Sequence, residues 1–363
     1  MKTAIARLAL VLVLLTLVVS PVLALADLPA ALDYLETQQN ADGGFGNGFT
    51  PDSALGSTAD VLLAILALDG DPAAFVQGGN TPLTYLSTSA PAAAGSGDLS
   101  KLILALVAAG ENPRLFGGVD SVDKLEALAG ADGRIGGAAD TFVSTLMSVI
   151  ALKSVERPVS QASLELIRTA QQDDGGWAWD GSASTPSDTN TTAYAVQALL
   201  ASGEPAGGDA VAKALAYYEG IQNDDGGWPY QNPSDYGTAT DANSTAVTVQ
   251  ALLAAGEDPA EGGWTSALGT TPYDALDALQ NGSGAWSWKA DAPGDNLLAT
   301  VQAAPARAGK ALLLATMSVG EAASLAPATV PVTGGPGVDP AWLLTASGLA
   351  LALGGILLRA RKR

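Results

Sequence analysis

Cysteine and histidine are both absent from the 363 residues. Their absence removes disulfide staples, thiol nucleophiles, imidazole bases and the usual zinc ligands together. Charged side chains are also scarce, at 15% against 48% apolar ones, so the chain must be held by an apolar core. Cations are the rarer charge, with 17 Lys and Arg against 37 Asp and Glu. No basic stripe is available to neutralise phosphates, which argues against nucleic acid as a partner.

The two ends differ from what lies between them. Residues 1–26 read as a secretory signal peptide: Lys2 and Arg7, an apolar centre "LALVLVLLTLVV", and a cleavage site closing on Ala26. Residues 341–358, "AWLLTASGLALALGGILL", hold 18 uncharged residues before a basic tail that ends at Arg363. Eighteen helical residues span about 27 Å, a little short of a hydrocarbon core of about 30 Å and so a minimal span. Residues 341–363 are therefore expected to form a C-terminal transmembrane helix with a cytoplasmic tail, leaving the body outside the cell. Residues 319–340 are rich in Pro, Gly and Ala and read as a stalk. Within it Val330-Pro331-Val332-Thr333-Gly334 resembles the sorting signal of sortase-anchored bacterial surface proteins, with Thr333 and Gly334 at the processing site and Val330 in place of the leading Leu.

Between these ends, residues 27–318 repeat. Six Ala- and Leu-rich segments, 57–68, 98–109, 140–152, 189–202, 242–255 and 296–318, are apolar nearly all round and read as inner helices, the last open to a break at Pro305. Six amphipathic segments, 28–39, 81–88, 121–129, 160–172, 208–222 and 271–280, alternate with them. Six pairs with no polar capping repeat predict closure into an all-α, α6/α6 toroid rather than an open solenoid.

The linking loops carry a motif. Gln172, Gly176 and Trp177 recur as Gln222, Gly227 and Trp228, and more weakly as Gln280 and Trp286; Phe45 replaces the Trp in the first repeat. These loops resemble the QW repeats of the prenyltransferase and squalene/terpene cyclase superfamily. The resemblance covers about residues 28–318 and implies the toroid fold. Glycine supplies tight turns and tryptophan covers the loop, so the motif itself is read as architecture. The Asp pairs in these loops lack the spaced ligands of a calcium loop, so calcium is disfavoured.

The resemblance also permits an elimination. No D-x-D-D acid of the cyclases occurs, and the Cys and His that bind zinc in protein prenyltransferases are missing. The sequence thus leans away from an enzyme, with no cofactor expected. In an alternating toroid the inner helices all start at one rim, which gathers Asp98, Asp140, Asp188, Asn190, Asp241 and Asn243, with Trp179 and Tyr230 nearby. Capping explains one polar residue per helix; the doubled Asp-x-Asn pattern also suits a ligand mouth. Secreted cobalamin carriers of the transcobalamin type are similar barrels with polar inner-helix starts, so cobalamin is one ligand this resemblance implies. The expectation is a surface-anchored, non-catalytic module binding a small ligand or a surface partner. An isoprenoid- or carbohydrate-acting enzyme and a structural spacer stand as alternatives. Nothing in the sequence fixes the oligomeric state.

Overall fold

The computed structural model describes residues 25–235 and 237–320. Residues 1–24 of the proposed signal peptide, the stalk from residue 321 and the C-terminal apolar segment lie outside the described residues, as does the unit formed by 323–363. Among the described residues no helix is long and apolar enough to cross a membrane, and there is no β-strand, only isolated bridges in the loops.

Twelve α-helices among the described residues alternate as predicted. The outer set is α1 (Leu28–Thr37), α3 (Pro82–Ser89), α5 (Ser121–Glu126), α7 (Gln161–Thr169), α9 (Asp209–Ile221) and α11 (Pro272–Asp277). The inner set is α2 (Leu55–Ala67), α4 (Ser96–Ala108), α6 (Phe142–Ser154), α8 (Thr189–Ala201), α10 (Ala242–Ala255) and α12 (Leu297–Arg307). Each inner helix packs on the next, and α12 packs back on α2, so the ring closes. An inner helix buries one side against the outer ring and its flanks against its neighbours. That is why α10, for example, has buried residues in every turn.

The last inner helix is shorter than the predicted 296–318. It ends at Arg307, two residues after Pro305, and residues 310–320 continue without helix. The sequence there is apolar for another reason. Leu312, Leu313, Leu314, Ala315 and Met317 pack against the core. The Leu312 N–H donates to Gln197 Oε1 (3.1 Å) and the Met317 N–H to the Ser154 carbonyl (2.7 Å). Because α6 lies opposite α12 in the ring order, this segment is a strap across the end of the ring where the inner helices finish.

The QW loops act as clamps. Gln171 Nε2 donates to the Gly175 carbonyl and to the Ala210 carbonyl, both at 2.8 Å. Gln39, Gln222 and Gln280 make the same pair of bonds, each to its own loop and to a backbone carbonyl beyond it in the ring. Gln280 reaches Asp27 and so joins the last repeat to the first. In the fourth repeat the clamp is therefore Gln171, not Gln172; Gln172 ties down the following loop through the Thr185 carbonyl (2.7 Å). Gly175 adopts φ +91°, and a Cβ there would stand 2.2 Å from the Lys213 carbonyl oxygen, which excludes any other residue without movement. Trp177, Trp228 and Trp286 are fully buried, and each indole N–H donates to a carbonyl ten residues earlier (2.7, 2.9 and 2.8 Å). Their backbone N–H groups donate to Thr192, Thr245 and Thr300, placed one turn inside the next helix. Asp174 and Asp225, of the Asp pairs weighed for calcium, accept from the Gly176 and Gly227 N–H groups and from Ser187 and Thr240.

Candidate functional site

All six inner helices begin at the same rim, but the rim residues divide into two kinds. Asp188 is the N-cap of α8 and accepts from the Thr191 N–H (2.7 Å) and hydroxyl (2.8 Å). Asp241 repeats this on α10 with the Ser244 N–H (2.7 Å) and hydroxyl (2.9 Å). Both are buried, at 1% and 2% exposure, so their carboxylates serve the helix starts. Burial raises Asp188 to about 6 although the bonds from Thr191 and Tyr230 oppose it; burial likewise raises Asp241. Asp140 is not the cap of α6, a role taken by Thr141. Its carboxylate instead accepts from the Gly137 N–H (2.8 Å) and the Ser96 N–H (3.4 Å), tying its loop to the start of α4.

The second kind are not buried caps. Asn190 and Asn243 stand two residues past the caps of α8 and α10. Asn190 Oδ1 is buried without a hydrogen-bond partner, and Asn243 Nδ2 donates to Gln302 Oε1 at 2.7 Å. Asp98 lies in the first turn of α4. Burial raises it, Lys101 opposes, and Asp60 and Asp140 add to the rise. Trp179 and Tyr230 are 51% and 43% exposed.

Six residues past the caps, the inner helices carry Asp60, Lys101, Met147, Tyr194, Val247 and Gln302. All but Val247 line a cavity of about 210 Å³ inside the ring, whose lining is completed by strap residues Ala311, Leu312 and Leu314. Lys101 Nζ meets Asp60 Oδ2 at 2.6 Å. Burial, the largest single influence, lowers Lys101, but Asp60, Tyr194 and Asp98 together raise the ammonium; Tyr194 is pushed up to about 12, chiefly by burial. Sequence reasoning missed this layer. Its signal was present: a lone Asp, Lys, Tyr or Gln at one register in otherwise apolar helices.

A larger cleft of about 790 Å³ opens at the rim between the first-repeat loop and the start of α12. Tyr34, Asn47, Phe49, Asn243, Trp288 and Asp295 are among its walls. Leu298 lines both spaces, and the Asn243–Gln302 bond links a cleft residue to a cavity residue, so together they form a septum. Burial pushes Tyr34 up to about 12, helped by Asp295. Of these walls, Asn243 is among the rim candidates read from the sequence.

Residues 138–293 match the family described as squalene-hopene cyclase C-terminal domain. Among solved structures, a variant of type II terpene cyclase MstE from Scytonema in complex with geranylgeranyl dihydroxybenzoate superposes with a TM-score of 0.58 at 14% identity, covering 78% of this chain and 95% of that one. An unsaturated glucuronyl hydrolase specific for heparin gives 0.56 at 13% identity, over 78% and 95% of the two chains. A protein from Actinoplanes gives 0.53 at 15%, over 78% and 97%. No curated protein matches the sequence. The fold is that of the terpene cyclase-like toroids. The family match and the structural matches support the prenyltransferase and terpene cyclase superfamily recognised in the QW loops.

Proposed function

We propose that the chain is an exported, surface-anchored binding module whose ligand occupies the rim cleft rather than the centre of the ring. The observation that carries this reading is the contrast between the two spaces. The central cavity, about 210 Å³, is crossed by the protein's own strap and has its Asp60 and Lys101 charges paired. The rim cleft, about 790 Å³, falls in the usual range for ligand sites, about 300–1,000 Å³. Export and anchoring rest on the sequence of the two ends. The non-catalytic part of the reading is supported by the use of Asp188 and Asp241 as caps, which takes up the most buried rim carboxylates.

A thermal-shift screen of the purified protein with cobalamin, oligosaccharides, an isoprenoid alcohol and calcium tests it. A ligand at one hundred times its Kd raises stability by about 2.7 kcal/mol. Asn243→Ala should shrink that shift, since Asn243 is shared between the cleft wall and the septum. A ligand whose shift survives Asn243→Ala and is lost on Lys101→Met would place binding in the central cavity and end the rim reading.

One observation favours an enzyme as the second reading. Asp60 and Asp140 both act electrostatically on Asp98 near the mouth of the ring, and Asp98 is raised. Raised carboxylates near a cavity are a mark of catalytic sites. Turnover of an isoprenoid or glycoside that is abolished by Asp98→Asn would favour it.

A further inference from the structure

The rim cleft is specialised in its side-chain chemistry, and this inference rests on the rim reading above. Phe49 is 88% exposed, yet its loop is built to hold it out: Asn47 Oδ1 accepts from the N–H groups of Phe49 and Thr50, both at 2.8 Å. Displaying a phenylalanine forgoes the stabilisation its burial would bring, a cost that a ligand contact can recover. Trp288, 45% exposed, lines the same cleft, and Lys289 lies over its ring, 4.4 Å from the centroid, fixing its orientation. Among the lining groups are the amides of Gln38 and Asn243 and the hydroxyl of Thr37.

None of the described residues lining the cleft is Lys or Arg, and Asp295 adds a negative charge. A sulfate, phosphate or uronate would therefore enter without a paired cation in the wall. Gln38 Nε2 donates to Thr37 Oγ1 (2.9 Å), Thr37 to the Tyr34 carbonyl (2.7 Å) and Asn243 Nδ2 to Gln302. Among the described residues, however, nothing donates to the Gln38 and Asn243 amide oxygens, which a hydrocarbon chain would bury without partners. An organic cation would be drawn by aromatics and an acid, but the Lys289 ammonium already lies over the Trp288 ring and would repel it. What remains is a molecule with an apolar ring face and a hydroxyl-bearing edge. We infer that the cleft between the first-repeat loop and α12 binds a neutral saccharide, with Phe49 and Trp288 against sugar faces and Asn243, Gln38 and Thr37 on hydroxyls.

Titration calorimetry on the full chain tests this with maltohexaose, cellohexaose and chitohexaose as neutral probes. Oligogalacturonate, choline, geranylgeraniol and cobalamin serve as the contrasting ones. The expected result is binding of at least one neutral oligosaccharide, weakened at least tenfold by Phe49→Ala and by Trp288→Ala, with unliganded melting points within about 2 °C of the parent. Binding of only a non-saccharide probe, weakened by the same two variants, would overturn the saccharide and leave the rim reading standing. Saccharide binding indifferent to both variants would overturn this assignment of the site. Silence from every probe would remove both.

Discussion

In repeats four to six, Gln171, Gln222 and Gln280 reach forward from each loop to the next part of the ring, and a buried Trp fills the space behind. Around the second and third repeats the Gln and Trp are missing and charges stand in. Lys124 reaches back from α5 to the Pro91 (3.0 Å) and Ala93 (2.6 Å) carbonyls. Arg114, only 3% exposed, meets Asp120 at 2.7 Å, and Arg157 meets Glu126 at 2.6 Å. The third loop keeps the glycine and the bond to the next helix: Gly133 has φ +87°, a Cβ there would stand 2.4 Å from the Ala162 carbonyl, and the Ile135 N–H donates to Thr145 (3.1 Å). The obligatory element is thus the close approach of a loop to the following outer helix. The means of satisfying the carbonyls at that approach is interchangeable.

This comparison can be broken most sharply on the Trp side. Trp228→Ala empties a fully buried site and leaves the Tyr218 carbonyl without its indole donor, so chemical denaturation should show a loss of about 3–5 kcal/mol. On the ionic side, Arg114→Ala leaves Asp120 facing a vacated buried site, with an expected loss of about 3 kcal/mol. If Arg114→Ala costs less than about 1 kcal/mol, the charges decorate the second arc and do not hold it.

The two arcs should also answer differently to pH. Asp188, in the Trp arc, has its folded value raised from 3.8 to about 6, so the folded state binds this proton more tightly than the unfolded chain does. Its contribution is fully present below about pH 4 and is lost as pH rises through 6, a change of about 3 kcal/mol. Asp188→Asn keeps an oxygen for the Thr191 N–H and cannot titrate. Relative to the parent it should gain stability between pH 4 and pH 7.5, followed by melting temperature; a constant difference across that range would contradict the assignment. The smallest effect sharpens the clamp itself. Gln171→Ala removes two bonds to carbonyls and should cost about 1–2 kcal/mol, more than Gln172→Ala, whose bonds stay within one loop.

The helix pairs were legible because an inner helix buried on all sides leaves a continuous Ala and Leu pattern, and an outer helix leaves a one-sided one. The strap was misread for the same reason: "ALLLATMSV" is apolar because it covers the end of the ring, and Pro305 with Gly309 marks the stop. Gln171 and Gln172 are adjacent, and only their hydrogen bonds separate clamp from loop tie. Asp60, Lys101 and Tyr194 were hidden by being single residues in three distant helices, brought together by closure of the ring. Phe49 sits in a loop outside any motif, and no local pattern tells an exposed aromatic from a buried one.

The central claim is that recognition occurs at the rim, and Trp288 reports on it directly. Among the described residues, Trp177, Trp228, Trp264 and Trp286 are buried, whereas Trp179 and Trp288 are exposed, and of these Trp288 lines the rim cleft. Tryptophan fluorescence of the full chain should change on addition of the bound oligosaccharide. The account predicts that the change survives Trp179→Phe and disappears in Trp288→Phe. A change that survives Trp288→Phe and is lost in Trp179→Phe would contradict it.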